Sequence, residues 1–283
     1  MTAFAPILLF VYNRPAHARQ AIASLLRNEL AAQSPLFVYA DAARTDADRE
    51  AVEETRAFVR QITGFASVTL VEREENWGLA RNIIDGVTTQ VARYGRVIVL
   101  EDDLVVAPYF LQFMNEALET YKDEPRVGHI QACDFTGDPS LPDTFLIKWT
   151  GSWGWATWER AWRHFNPDGA ALLRELECRG LTRAFDFDGN YPFTRMLRRQ
   201  VRGENNSWAI RWNASLGGRW FRTMVSTVAA HTAVATVSIS LRCGCNLFRW
   251  SVFFLPKRTV RHAPLLHATI TVPTASGRRR YGD

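Results

Sequence analysis

The sequence predicts an α/β fold, with a mostly parallel sheet covered by helices on both faces. Three observations carry this. Short apolar runs alternate with helical periods through the first 120 residues. The runs are almost continuously apolar, as strands buried on both faces are. Each run is followed by polar or charged residues. Residues 6–12 (PILLFVY) form a buried strand ended by a turn signal, and 16–30 follow with helical spacing. Residues 36–40 (LFVYA) are a second strand ending at Asp41, and 46–62 a charged amphipathic helix. A third strand over 67–71 precedes a helix over 79–94. The fourth strand, 97–100 (VIVL), runs into Glu101-Asp102-Asp103, and 108–121 is helical with Pro108 in its first turn. This alternation means βαβ units with right-handed crossovers. Ligands of open sheets bind beyond the carboxyl ends of the strands, which directs attention to Asn13-Arg14, Asp41, residues 72–76 and residues 101–103.

Residues 127–222 change character. Five of the ten tryptophans lie between positions 149 and 162, and Trp208 and Trp212 are one helical turn apart. Trp155, Trp158 and Trp162 repeat at helical spacing, and helices are expected over 169–179, 193–202 and 207–216. No repeat or flexible linker separates the halves. One domain over 1–222 is expected, in two halves of about 1–125 and about 126–222.

The whole-chain net charge of +5 is misleading. Residues 223–283 carry eight Lys/Arg and only Asp283, whereas residues 1–222 carry 26 basic and 28 acidic side chains. A nucleic-acid partner is therefore not indicated. Cys133, Cys178, Cys243 and Cys245 lack zinc-ligand spacing. The opening apolar run is too short and lacks the basic flank of a signal peptide, and residues 223–241 are too weakly apolar for a membrane span. A cytoplasmic chain with free thiols is expected.

The run VIVLEDD concentrates the chemistry. A buried strand delivers three consecutive carboxylates to its exposed end, an arrangement suited to holding a divalent cation whose shell is completed by substrate phosphates. There is no G-x-G-x-x-G after the first strand, no G-x-x-x-x-G-K-[ST], no G-x-S-x-G and no H-E-x-x-H, and the six histidines form no ligand pattern.

The segments PILLFVYNRP, ADAARTDADREAV, EENWGLARNIIDGV, VIVLEDDLVVAPYFLQFMN, GSWGWATWERAWRHF and NSWAIRWNASL, in this order, resemble the bacterial GT-A-fold sugar transferases. These are similar to the eukaryotic N-acetylglucosaminyltransferase I group. The resemblance covers about residues 5–217. It implies a GT-A, Rossmann-like fold and transfer of a sugar from a nucleotide donor, UDP being expected, to a glycan or glycolipid. It further implies inversion at the sugar carbon and a divalent cation, Mn²⁺ first and Mg²⁺ second. Carried over, Asn13 and Arg14 meet the nucleotide, Asp41 reads the base, Asp103 binds the metal, Asp102 contacts ribose or the metal shell, and Glu101 the donor sugar. Asn76, Trp77, Gly78 and Arg81 line the donor pocket: Arg81 as a fixed cation for phosphate, Trp77 as a flat surface for base or sugar. Trp153 and Trp155 lie beside the donor sugar.

The catalytic base is the departure. Relatives carry an acidic residue where this chain has Asn206, so Glu204, Asp186 and Asp188 are the candidates for taking the acceptor's proton. After about residue 222 the family pattern is lost and acidic residues vanish. A frame-shifted or poorly ordered basic tail over 223–283 is expected, which would remove the last core strand. A peripheral contact of that tail with the inner membrane is the other reading. Two rival functions stand beside sugar transfer: a catalytically impaired nucleotide- or glycan-binding relative, and a sugar nucleotidyltransferase. The latter normally needs a Gly-rich loop after the first strand, which YNRPAHARQ lacks.

Overall fold

A computed structural model of the chain describes residues 4–132, 142–217 and 222–226. Four strands, β1 (Ile7–Val11), β2 (Pro35–Ala40), β3 (Ser67–Glu72) and β4 (Arg96–Glu101), pair in parallel in the order β3-β2-β1-β4. Helices α1 (Pro15–Leu26), α2 (Arg49–Val59) and α3 (Gly78–Tyr94) make the crossovers, and α4 (Phe110–Thr120) follows β4. All four carboxyl ends therefore emerge at one edge.

Alternation along each strand feeds two core layers. Ile7, Leu9 and Val11 pack with α1, α4 and Val59 of α2, whereas Leu8 and Phe10 pack with α3. The second layer is largely aromatic and also takes in α5 (Glu159–Trp162) and α9 (Trp208–Gly217). Helices α6 (Gly169–Cys178), α7 (Thr182–Phe185) and α8 (Phe193–Val201) close a smaller cluster against α9, with Leu172, Leu176, Phe185, Leu197 and Ile210 at its centre.

The sheet continues past β4 through β7 (Trp155–Trp158), β5 (Val127–Gln131), β8 (Arg222–Ser226) and β6 (Thr144–Ile147), giving eight strands among the described residues. Two expectations are corrected here. Trp155 and Trp158 do not share a helix: residues 155–158 are a strand antiparallel to both β4 and β5, and only 159–162 turn helical. Strand alternation then sends Trp155 to one core layer and Trp158 to the other. Nor is the sheet finished at residue 222. β8 pairs in parallel with β5 and antiparallel with β6, carrying ordered pairing to Ser226. The frame-shift and membrane-tail readings fall on residues 227–283, outside the described residues, as does Cys133.

His129 anchors the aromatic layer. It is fully buried, its ring stacked 5.2 Å from that of Trp155. Nε2 lies 3.0 Å from the Gly151 carbonyl, and Nδ1 accepts the Trp212 indole N–H at 3.2 Å. This fixes the neutral Nε2–H tautomer, since a second ring proton would point at an N–H donor. Burial accordingly pushes the His129 pKa down to about 3. The unfolded chain takes up this proton near the ordinary value of about 6.5 while the folded chain refuses it, so the stabilisation is whole above that pH and is lost as pH falls towards 3. We expect His129→Gln, which donates and accepts without titrating, to shrink the stability difference between pH 7 and pH 4.5 by about 2–3 kcal/mol in urea titrations. An unchanged difference would show that His129 does not govern this acid sensitivity.

Candidate active site

Beyond β4, Glu101, Asp102 and Asp103 crowd together where solvent is scarce. Asp102 is 2% exposed. Arg14, at the entry to α1, donates from Nη2 to Asp102 Oδ1 and from Nη1 to Asp103 Oδ2 at 3.2 Å, so one guanidinium spans both carboxylates. Burial pushes Glu101 up to about 8, and the charges of Asp103 and Asp102 add to this. Asp102 is pushed up to about 6 by burial, with Arg14 opposing the rise. The arrangement concentrates negative charge around one cation. Arg14 itself remains 41% exposed by side chain.

Asp41, expected to read a base, has no lone pair left for one. Its Oδ1 accepts the N–H groups of Ala42 (3.0 Å) and Trp77 (2.9 Å), and Oδ2 accepts the Gly78 N–H (2.8 Å) and the Asn76 amide (3.1 Å). Helix α3 begins without a capping side chain of its own, so Asp41 supplies the cap from the loop after β2 and places its charge at the positive end of the helix. Gly78 enters that helix at φ +71°, a conformation costly for any side chain. Asn76 also donates to the Ala42 carbonyl at 2.7 Å, and Asn13 donates to Asp48 at 2.8 Å. Both brace the loop after β2.

Trp77 does not present an open face either. The guanidinium carbons of Arg73 and Arg81 each lie 3.7 Å from its ring centroid. At that distance a cation stacks on the ring and displaces any base or sugar from the position. Arg73 is held in turn by Asn82 (2.9 Å) and Asp85. Arg81 is more exposed and contacts Glu75 at 3.4 Å. Sequence reasoning pointed to residues 72–76 without singling out Arg73, because nothing local marks an arginine whose partners lie on the next helix.

The two site tryptophans separate. Trp153 is 38% exposed beside the start of β7, which pairs with the end of β4. Trp155 is fully buried between His129 and Trp208, ring centroids 5.2 Å from each, so it supports the site from within the core and does not face a sugar. Gly154 between them has φ +65°, and a Cβ there would lie 3.1 Å from the Phe110 ring, which fixes the corner that parts the two indoles.

The three base candidates also differ. Glu204 is gripped by Arg199 (3.0 Å) and Arg202, and the hydrogen bond from Arg202 holds its carboxyl below the usual range. Asp186 accepts the Thr194 N–H at 2.6 Å at the start of α8. Asp188 sits at φ +56° beside Phe187 at φ +50°, a left-handed pair without glycine, with one loose contact to Arg183 at 3.4 Å.

Among the described residues Asp102 Oδ2 is buried with no hydrogen-bond partner, and Asp103 keeps about one fifth of its side chain exposed. An orphaned carboxylate oxygen beside a reachable carboxylate fits a hard divalent cation. No group of three or more His, Cys, Asp or Glu among the described residues is arranged to hold an ion, so an ion here would draw further ligands from a substrate.

Residues 7–175 match the family described as Glycosyl transferase family 2. No curated protein matches the chain. Among solved structures, a crystal structure of S. aureus TarS aligns at 15% identity and a TM-score of 0.33, over 49% of this chain and 23% of that one. Residues 1–349 of TarS align at 13% identity and a TM-score of 0.46, over 82% and 60% respectively. The mannosyltransferase PcManGT from Pyrobaculum calidifontis, in complex with GDP-Man and Mn2+, aligns at 15% identity and a TM-score of 0.38, over 75% and 73%. The chain thus spans less than two thirds of either TarS structure.

If Asp41 is the cap that fixes the start of α3, Asp41→Ala leaves four donors unpaired and should cost about 2–4 kcal/mol in urea unfolding. Asp46→Ala removes only an exposed pair with Arg49 and should stay within about 0.5 kcal/mol. Equal effects of the two would refute the capping role.

Proposed function

The chain belongs to glycosyl transferase family 2, and from that membership we propose that it transfers a sugar from a nucleotide donor to a glycan or glycolipid acceptor. The observation carrying this is the convergence of Arg14, Asp102 and Asp103 beyond β1 and β4, one exposed cation beside two carboxylates. We take UDP as the donor nucleotide and single-displacement inversion as the stereochemical course. Residues 1–125 are the proposed nucleotide-binding half and 126–222 the donor and acceptor half.

Asp103, with the unpartnered oxygen of Asp102, would hold a divalent ion, Mn²⁺ in the first instance and Mg²⁺ in the second. When bound, that ion neutralises charge accumulating on the departing nucleotide diphosphate. Arg14 is the mobile partner of the same step. Its carboxylate contacts exchange for phosphate oxygens, and its fork matches either. Asn13 and Asn76, through Asp48 and Asp41, hold the loop that walls the nucleotide. Glu101 and Trp153 border the position of the donor sugar.

A base must take the acceptor's proton. We assign it to Asp188, whose carboxylate is exposed and only loosely paired, ahead of Asp186, which caps α8, and Glu204, which two arginines already hold. Among the described residues no helix is long and apolar enough to cross a membrane, and Cys178 is a free, exposed thiol. Action in the cytoplasm on an acceptor presented at the inner membrane is the setting we propose.

Mn²⁺ should stabilise the protein mainly when UDP is present, by about 2.7 kcal/mol at a hundredfold excess over Kd, and Asp103→Ala should abolish the joint effect. Equal UDP stabilisation with and without metal in thermal titration would reject the metal assignment. Asp188→Asn keeps a residue tolerant of positive φ and should lower turnover by about 10²–10⁴-fold with UDP affinity unchanged. Glu204→Gln should stay within a few-fold of wild type, and the reverse pattern would move the base to Glu204.

A further inference from the structure

Helices α3 and α9 leave a groove of about 520 Å³ between them, whose walls include Trp77, Arg81, Asp85, Thr88, Asn206 and Arg211. None of Asn13, Arg14, Asp102 or Asp103 lines it, so the carboxylate cluster at the strand ends is no part of it; Trp77 and Arg81, expected from sequence in the donor pocket, line this groove instead.

Arg211 is the anomaly. It is only 8% exposed, yet among the described residues its partners are all neutral oxygens: Nε donates to the Ser207 carbonyl (3.2 Å), Nη1 to the Pro167 carbonyl (3.4 Å) and Nη2 to Asn206 Oδ1 (3.0 Å). A guanidinium has five N–H groups, so two remain beyond these three bonds. Its pKa is drawn down by burial, and no carboxylate among the described residues pulls it back. A buried cation without a counter-charge is costly unless an anion completes it.

The neighbouring side chains are turned the same way. Because Asn206 Oδ1 accepts from Arg211, its amide N–H groups are left to donate. Because Thr88 Oγ1 accepts the Trp162 indole N–H at 2.9 Å, its own hydroxyl hydrogen is left to donate. Arg81 adds a second guanidinium, stacked on Trp77 and in an exposed, loose pair with Glu75 at 3.4 Å. The carboxylate of the groove, Asp85, is already neutralised by Arg73. The lining is therefore rich in donors and positive, and the donors come from two helices and the segment before α9. A tetrahedral oxyanion presents acceptors in several directions at once, whereas a carboxylate presents them in one plane.

We propose that the α3–α9 groove is a second anion subsite that takes a phosphoryl group, held by Arg211, Arg81, Asn206 and Thr88. This gives Asn206 a physical role. An Asp in its place would pair with Arg211 and put a negative charge where the ligand binds.

The test is a ³¹P NMR titration with inorganic phosphate and with phenyl phosphate, each in the presence of saturating UDP and the diamagnetic Mg²⁺. Wild type should bind both with UDP bound. The isosteric Asn206→Asp should weaken binding at least tenfold, and Arg81→Gln, at an exposed position, by several-fold. Tighter binding of the phenyl ester would identify a phosphoryl group carried on a larger molecule, and equal binding would identify free phosphate. Affinities within twofold of wild type in both variants, or displacement of the probes by UDP, would overturn the proposal. Should Asn206→Asp fail to fold, Arg81→Gln decides alone. A failure of UDP to bind would count against the sugar-transfer reading and not against the groove, because the variants report on the groove without turnover.

Discussion

Asp102 and Asp103 repel one another at the end of one buried strand, with little water to screen them and Glu101 held protonated beside them, and the pairing of Arg14 with both makes that arrangement tenable. The pairing is available only because β1 and β4 are adjacent and parallel, which brings the residue after one strand against the residues after the other. The same contact ties α1 to the end of β4. It also leaves a charge balance that is incomplete: a raised Glu101, an unpartnered Asp102 oxygen and an exposed guanidinium. An incomplete balance of this kind favours a ligand that brings both a cation and phosphate oxygens.

A second carboxylate has the opposite character. Asp41 is saturated by four donors and spends its charge on the start of α3. That fixes Trp77, which Arg73 and Arg81 enclose, and so fixes the wall where the groove towards α9 begins. Asp41 and Asp102 are both buried carboxylates at strand ends, yet one is structural and the other chemically unfinished. The difference lies in the count of donors reaching each, not in residue type.

Behind the site the aromatic layer provides stiffness. Trp155, Trp162, Trp208 and Trp212 pack around His129, with ring centroids between 4.9 and 6.5 Å apart for the closest pairs. His129 adds a hydrogen-bonded polar centre that allows only one tautomer, and through the Gly151 carbonyl it holds the segment leading to Trp153. A support of rigid rings with defined polar contacts suits a surface that must keep its shape as substrates come and go.

Much of this was legible in the sequence because it is local. Strands β1, β2 and β4 follow from apolar runs, the half-exposed β3 from its alternation of Val and Leu with polar residues, and the helices from helical periods; the carboxylates of VIVLEDD follow from where a buried strand must end. The order of motifs pointed to a sugar transferase, and residues 7–175 match Glycosyl transferase family 2, not the N-acetylglucosaminyltransferase I group that the motifs resemble. Partners were not legible, because a side chain's role depends on what other elements bring to it. Asp41 in sequence is a carboxylate after a strand; three backbone N–H groups and one amide make it a cap. Trp77 is a free ring until two arginines from different positions close on it. Trp155, Trp158 and Trp162 fit a helical period, but pairing with β4 and β5 forces a strand, because hydrogen bonds to two neighbours outweigh a spacing that both structures tolerate. Strand β8 lies beyond the point where sequence pattern fails, and it is held by pairing with β5 and β6. Sequence by itself determined the types of the first four strands and their helices, the edge where chemistry gathers and the charges available there. Tertiary structure alone decided which charges are neutralised and which remain open, because that depends on distances between residues far apart in the chain.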